Sequence, residues 1–180
     1  MKIIFLDIDG VVLPVGTLQQ TEVRELIRNP DMFVMAANVP KHIPVHLNAL
    51  AHKTGASFVL ISSWRHLFSS ENLQHFLERL GLFEQFHTDW MAPMRLQDRS
   101  AKVRDMGEWV GNVGARQRDC IVIDDDDELD LSQLLPDVRH LKTISDVGFS
   151  RDDLDRGLKM LGLKDRREVV TATTERRKRT

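Results

Sequence analysis

Three short apolar runs rich in branched residues punctuate the chain: Ile3 to Leu6, Phe58 to Ile61, and Cys120 to Ile123. None alternates apolar with polar residues, so each reads as a strand covered on both faces, the pattern of a parallel sheet. Each run also stops abruptly in small polar or acidic residues: Asp7-Ile8-Asp9-Gly10, Ser62-Ser63, and Asp124 to Asp127. Helical patterns fill the intervals. Val45 to Lys53 leads into Gly55, Glu71 to Leu80 stops at Gly81, and Ala101 to Val110 stops at Gly111, glycine being a frequent helix terminator. Strands alternating with helices predict βαβ units and an open α/β sheet.

Further along, His140 to Ile144 reads as a fourth strand near an edge. Ser150-Arg151-Asp152-Asp153 carries a helix start signal, with the helix running to Met160 or Leu161 before Gly162. Residues 14–44 hold scattered apolar residues between prolines and predict an irregular insert with one short helix near Thr21 to Ile27. The 180 residues suit one domain over 1–163, followed by a basic, flexible tail over 164–180. The tail has seven basic and three acidic residues, so its charge is +4 within a chain of net charge −2. That overall balance predicts neither a membrane nor a nucleic-acid partner. Met1 to Leu6 is too short an apolar stretch for a signal peptide or a span. Cys120 is the single cysteine, which excludes an intrachain disulfide and makes a reducing, cytoplasmic setting the expectation.

Ligands of open α/β sheets bind beyond the carboxyl ends of the strands. If the three runs are adjacent and parallel, Asp7, Asp9, Ser62, Asp124 and Asp125 converge on one crevice. So many carboxylates repel one another without a cation, and Mg2+ suits a site of oxygen ligands with room for water and a phosphate. Asp7, directly at a strand end, is placed to attack phosphorus and form an acyl phosphate. Asp9, two residues on, is placed as general acid and later base, and its backbone carbonyl as a metal ligand. Gly10 lets the chain turn away beside the substrate. Ser62 offers a hydroxyl and a nearby N–H to phosphate oxygens, with Ser63 as the alternative. Lys102 supplies positive charge, with Arg99 and Arg104 as competitors.

Each feature also has a simpler reading. A calcium loop fails because Val11 and Val12 stand where it needs a polar ligand and a glycine. Asp126 and Asp127 read as turn or capping residues. Arg65 reads equally as a contact to a substrate phosphate or base and as a structural ion pair. Trp64 and Trp109 read as packing residues. His42 and His46 are four apart, but Pro44 between them argues against a regular helix; His66 reads as incidental, and Cys120 as an inert strand residue.

The combination of Asp7-Ile8-Asp9-Gly10-Val11 after a strand, Ser62, Lys102 and Asp124-Asp125 resembles the haloacid dehalogenase (HAD) superfamily of phosphohydrolases. The resemblance implies a Rossmann-like three-layer α/β/α sandwich with a mainly parallel sheet. It also implies Asp7 as nucleophile, Asp9 as acid/base, Mg2+ on Asp7, the Asp9 carbonyl and Asp125, and Asp124 as an accessory ligand. Ile61-Ser62-Ser63-Trp64-Arg65, the helix containing Trp109, the four-aspartate run and Val147-Gly148-Phe149-Ser150 look like a capless subgroup that includes HAD domains of the Swiss-army-knife RNA-repair type. The likeness spans roughly residues 1 to 163. Lys102-Val103 departs from that subgroup's arginine–glycine pair, while lysine is the commoner residue in the superfamily.

About fifty residues separate the first two motifs, which leaves little for a lid domain. A shallow site suits a phosphate on a large molecule, so the expected partner is a phosphorylated substrate, with a nucleic-acid end or other polynucleotide, a phosphoprotein, or a nucleotide as candidates. The basic tail would add electrostatic attraction to a polynucleotide. The rival readings are a small-metabolite phosphatase and a non-catalytic binding or regulatory protein that keeps the fold.

Overall fold

In the computed structural model, which describes residues 1–17, 25, 28, 30–94 and 101–162, the three apolar runs form the centre of one five-stranded sheet. The elements are β1 (Lys2–Leu6), α1 (Met32–Ala37), α2 (His42–Thr54), β2 (Ala56–Leu60), α3 (Ser70–Arg79), β3 (Phe86–Met91), α4 (Ala101–Val113), β4 (Cys120–Asp124), β5 (Arg139–Lys142) and α5 (Arg151–Met160). The strand order is β3-β2-β1-β4-β5, and every pairing is parallel. In the shared register Leu6 lies opposite Leu60 on one side and Ile123 on the other. The residues that follow these three therefore emerge at one level along one edge of the sheet.

Strand side chains alternate between the two faces, and each face has its own core. Ile4, Leu6, Phe58, Leu60, Ile121 and Ile123 pack with residues of α1, α2, α3 and α5. Ile3, Phe5, Val59, Ile61 and Val122 pack with Val103, Met106, Trp109 and Val110 of α4 and with Leu131 and Leu135. Three layers result, as a parallel sheet with both faces covered requires.

Several boundaries differ from the sequence reading. β3, Phe-His-Thr-Asp-Trp-Met, is an edge strand whose two middle residues are exposed; it has no apolar run to announce it. The fourth strand does lie at the opposite edge, over Arg139–Lys142. In the expected irregular insert, α1 forms behind Asp31, whose carboxylate accepts from the N–H groups of Phe33 and Val34, a side-chain cap. α2 begins at His42, upstream of Pro44. Proline is tolerated there because first-turn N–H groups have no intrahelical acceptor. His42 and His46 thus share a helix face, with ring centroids 5.6 Å apart. α4 continues through Gly111 to Val113, and the chain turns instead at Gly114, with φ +68°. α5 starts as expected, under a reciprocal capping box between Ser150 and Asp153. The helix expected near Thr21 to Ile27 and the basic tail lie almost wholly or wholly outside the described residues. Among the described residues, no helix is long and apolar enough to cross a membrane.

Candidate active site

The site is built where β1 ends. The Asp7 N–H donates to Ile123 O at 3.1 Å, so sheet bonding carries one residue past the strand and fixes the backbone of Asp7 against β4. The Asp7 carboxylate is held by both oxygens: Oδ1 accepts from the Ile8 N–H at 2.7 Å and Oδ2 from Lys102 Nζ at 2.7 Å. The chain then folds back in a tight turn, with Leu13 N–H on Ile8 O and Gly10 N–H on Leu13 O, both at 2.9 Å. Gly10 has φ +66°, and a Cβ on it would lie 2.2 Å from Asp125 Oδ2. Glycine is needed here twice over: for the left-handed backbone and for the space the Asp125 carboxylate fills. The Thr143 hydroxyl donates to Gly10 O at 2.9 Å, tying the turn to the end of β5.

β4 delivers the other carboxylates. Asp124 is its last residue and is fully buried; Asp125 follows, half-buried. Asp124 Oδ1 accepts from the Asp126 N–H at 3.0 Å, and Asp126 in turn accepts from the Glu128 N–H at 2.8 Å. Asp127 pairs with Lys142. The second half of the aspartate run thus serves the turn. Lys102, in the first turn of α4, places Nζ 2.7 Å from both Asp7 Oδ2 and Asp124 Oδ2. Asp7, Asp124 and Asp125 each offer an oxygen within 4.8 Å of the others. Among the described residues no other group of three or more potential metal ligands of this kind occurs.

Electrostatics distinguish the members. Burial alone would lower the Lys102 pKa, but Asp7 and Asp124 outweigh it and raise it above the ordinary lysine value. Burial and then Asp7 raise Asp124, against the opposing pull of Lys102. Asp9 is exposed by surface area, yet enough protein crowds it that partial desolvation, with Asp7 next in weight, pushes its carboxyl up to about 6. A hydrogen bond from Trp64 works in the opposite direction.

The sequence reading of Trp64 does not contain that bond. Trp64 Nε1 donates to Asp9 Oδ2 at 2.9 Å, across 55 residues of sequence, so the tryptophan read as packing alone also touches the site. The available signal was its position: a tryptophan just past a strand's carboxyl end, whose N–H needs an acceptor when buried. Trp109 is a packing residue, fully buried and edge-on to Phe5 at 5.6 Å, with Nε1 on Asp89 O. Ser62 is fully buried and caps the turn Ser63–His66, its hydroxyl accepting from the Trp64 N–H at 3.3 Å; Ser63 is exposed.

Arg65 resolves toward its structural alternative. Nε donates to Ser62 O at 2.9 Å, Nη1 to Ala92 O at 2.6 Å and Pro93 O at 2.9 Å, and Nη2 to Ile61 O at 2.9 Å and Asp105 Oδ2 at 3.3 Å. A guanidinium has five N–H donors, and all five are engaged here. Of the two readings of Arg65, the substrate contact is therefore set aside, because no N–H is left for a substrate. Arg99 is outside the described residues.

The donor set fits a hard divalent cation. It consists of carboxylate oxygens alone, and Gly10 leaves the space in which Asp125 approaches Asp7. Asp7, Asp124 and Asp125 are the residues that could hold the ion; Lys102 engages one oxygen each of Asp7 and Asp124, and the Ile8 and Asp126 N–H groups engage the others.

An all-parallel α/β sheet with carboxylates and a lysine gathered beyond its central strands defines a HAD-like α/β domain. The chain belongs to the family described as HAD domain in Swiss Army Knife RNA repair proteins, which matches residues 3–154. The family supports HAD-type phosphohydrolase chemistry in general. Among solved structures, an uncharacterized protein from Corynebacterium glutamicum is similar at 15% identity and a TM-score of 0.46, over 92% of this chain and 98% of that one. No protein with a curated description matches.

Proposed function

We propose that this protein is a Mg2+-dependent phosphomonoesterase that works through an aspartyl phosphate on Asp7. The observation that carries the reading is the convergence of Asp7, Asp124 and Asp125 within 4.8 Å, with Lys102 Nζ bridging two of them. Asp7 supplies the oxygen that bonds to phosphorus, and its two fixed hydrogen bonds give it one orientation, which favours attack on a bound phosphate. As the phosphorus–oxygen bond to the leaving group breaks, Asp9 delivers a proton to that oxygen. In the second half Asp9 takes a proton from water, whose oxygen attacks phosphorus and frees Asp7. Lys102 and the serine turn, through Ser62 or Ser63, meet the charge on the phosphoryl oxygens. Bound Mg2+ would act as a Lewis acid on the phosphoryl group and offset the negative charge of the carboxylates.

For substrate we propose a phosphorylated nucleic-acid end. Support comes from the RNA-repair description of the family, from the short stretch between β1 and β2, and from the +4 charge of residues 164–180. The test is phosphate release from 3′- and 5′-phosphorylated oligonucleotides, nucleotides and sugar phosphates, with Mg2+ and with EDTA. Activity is expected on oligonucleotide ends, abolished by EDTA and by Asp7→Asn, with Ser62→Ala and Ser63→Ala separating the two serines. Turnover without a metal, or full activity in Asp7→Asn, would refute the mechanism. Preference for sugar phosphates would refute the substrate.

A further inference from the structure

Packing alone does not account for the Asp9–Trp64 pair. Asp9 sits exposed on a turn, and the Asp7 and Asp125 carboxylates repel its charged form. Among the described residues, the indole N–H is the side-chain donor that holds it. Trp64, by contrast, is immobilised. It is 6% exposed, with ring centroids 5.2 Å from Phe68 and 5.4 Å from Phe76. Its backbone N–H is on the Ser62 hydroxyl, and its carbonyl accepts from Leu67 and Phe68. A rigid donor therefore meets a carboxyl group with no other side-chain donor among the described residues.

We propose that Trp64 is a positioning residue for proton transfer: its N–H fixes the Asp9 carboxyl group and reserves Oδ2 as acceptor, so that Oδ1 delivers and later recovers the proton. An oxygen that accepts an N–H is the poorer site for a proton, so the indole selects the atom as well as the orientation. In the first step the Asp7–phosphorus bond forms, the bond from phosphorus to the leaving oxygen breaks, and the proton on Oδ1 passes to that oxygen. Asp9 is left as a carboxylate whose Oδ2 keeps the indole bond. In the second, water loses a proton to Oδ1 as it attacks phosphorus, and the Asp7–phosphorus bond breaks. Protons and charge balance over the cycle.

The inference rests on Asp9 being the acid, and the experiment separates the two ideas. A leaving group that departs as a stable anion needs no proton, whereas an alkoxide does. Trp64→Phe keeps an aromatic ring against Phe68 and Phe76 but removes the N–H. Replacing Trp64 with benzothienylalanine keeps the bicyclic shape with sulfur in place of N–H, and serves if the phenylalanine variant folds poorly. kcat/KM is measured with Mg2+ on p-nitrophenyl phosphate and on β-glycerophosphate, for both variants and for Asp9→Asn. Loss of the N–H is expected to cost about 10- to 100-fold on the alkyl phosphate and under about 3-fold on the aryl one, with Asp9→Asn showing the same bias more strongly. Equal losses on the two substrates, or none, in the Trp64 variants overturn the positioning role while leaving Asp9 as acid intact. Equal losses in Asp9→Asn overturn the assignment of the acid itself.

Discussion

At the scale of single residues, the site is a contest between crowding and charge, and two of its members make that measurable. Gly10 yields its side-chain space to Asp125. Gly10→Ala imposes a left-handed conformation on a residue with a Cβ, at about 1–2 kcal/mol, and drives that Cβ into the Asp125 carboxylate. Denaturant unfolding should show the loss of stability, and calorimetric titration with Mg2+ a weakened affinity; unchanged affinity would mean that Asp125 is not a ligand. Asp9 makes the second case. Its carboxyl is raised to about 6 from an ordinary 3.8, so between those values the folded chain holds more protons than the unfolded one. Its contribution to stability is present below the lower value and lost as pH rises through the upper. In cation-free protein, Asp9→Asn should therefore melt above the wild type at pH 7.5, with the gap closing toward pH 4. A gap of constant size would show that Asp9 is not perturbed. Asp7, Asp124, Asp125 and Lys102 were legible as a group because each sits at or near the end of an element. Arg65 and Trp64 were not, since which acceptors a side chain finds across 40 or 55 residues is settled only by the packed sheet.

Among elements, legibility followed burial. β1, β2 and β4 are covered on both faces, so their sequences had to be apolar runs. β3 has only to pair along one edge and tolerates His87, Thr88 and Asp89. α4 shows why a glycine is a weak stop signal inside a helix with a strong apolar face. Trp109 and Val110 are buried just before Gly111, and their packing exceeds the ~1 kcal/mol that glycine costs there. α5 is the opposite case, a helix whose start was written locally. Asp153 Oδ2 accepts from the Ser150 N–H at 2.8 Å and from its hydroxyl at 2.7 Å, while the Ser150 hydroxyl accepts from the Asp153 N–H. Ser150→Ala should lower stability by about 1 kcal/mol with phosphatase activity intact. A drop in kcat larger than the drop in folded fraction would place α5 in the chemistry after all.

For the molecule as a whole, the fold was legible because three strand ends repeat one pattern, and the site because a parallel sheet must bring those ends together. Joining them to the helices is a separate matter, and here the Arg65 clasp has a consequence beyond its own contacts. Its guanidinium grips Ala92 and Pro93 on one side and Asp105 on the other, so one buried side chain ties the chain after β3 and the body of α4 to the end of β2. Arg65→Met leaves the buried Asp105 without this ion-pair partner and should lower stability by about 3–5 kcal/mol, read from denaturant midpoints. Arg65→Lys keeps the charge but offers three donors in place of five and should recover only part of that loss; an undiminished midpoint in Arg65→Met would count against the clasp. A domain held this way hangs two layers on one keystone, and a change there would be felt at Lys102, one turn away on α4, with no residue of the site itself altered.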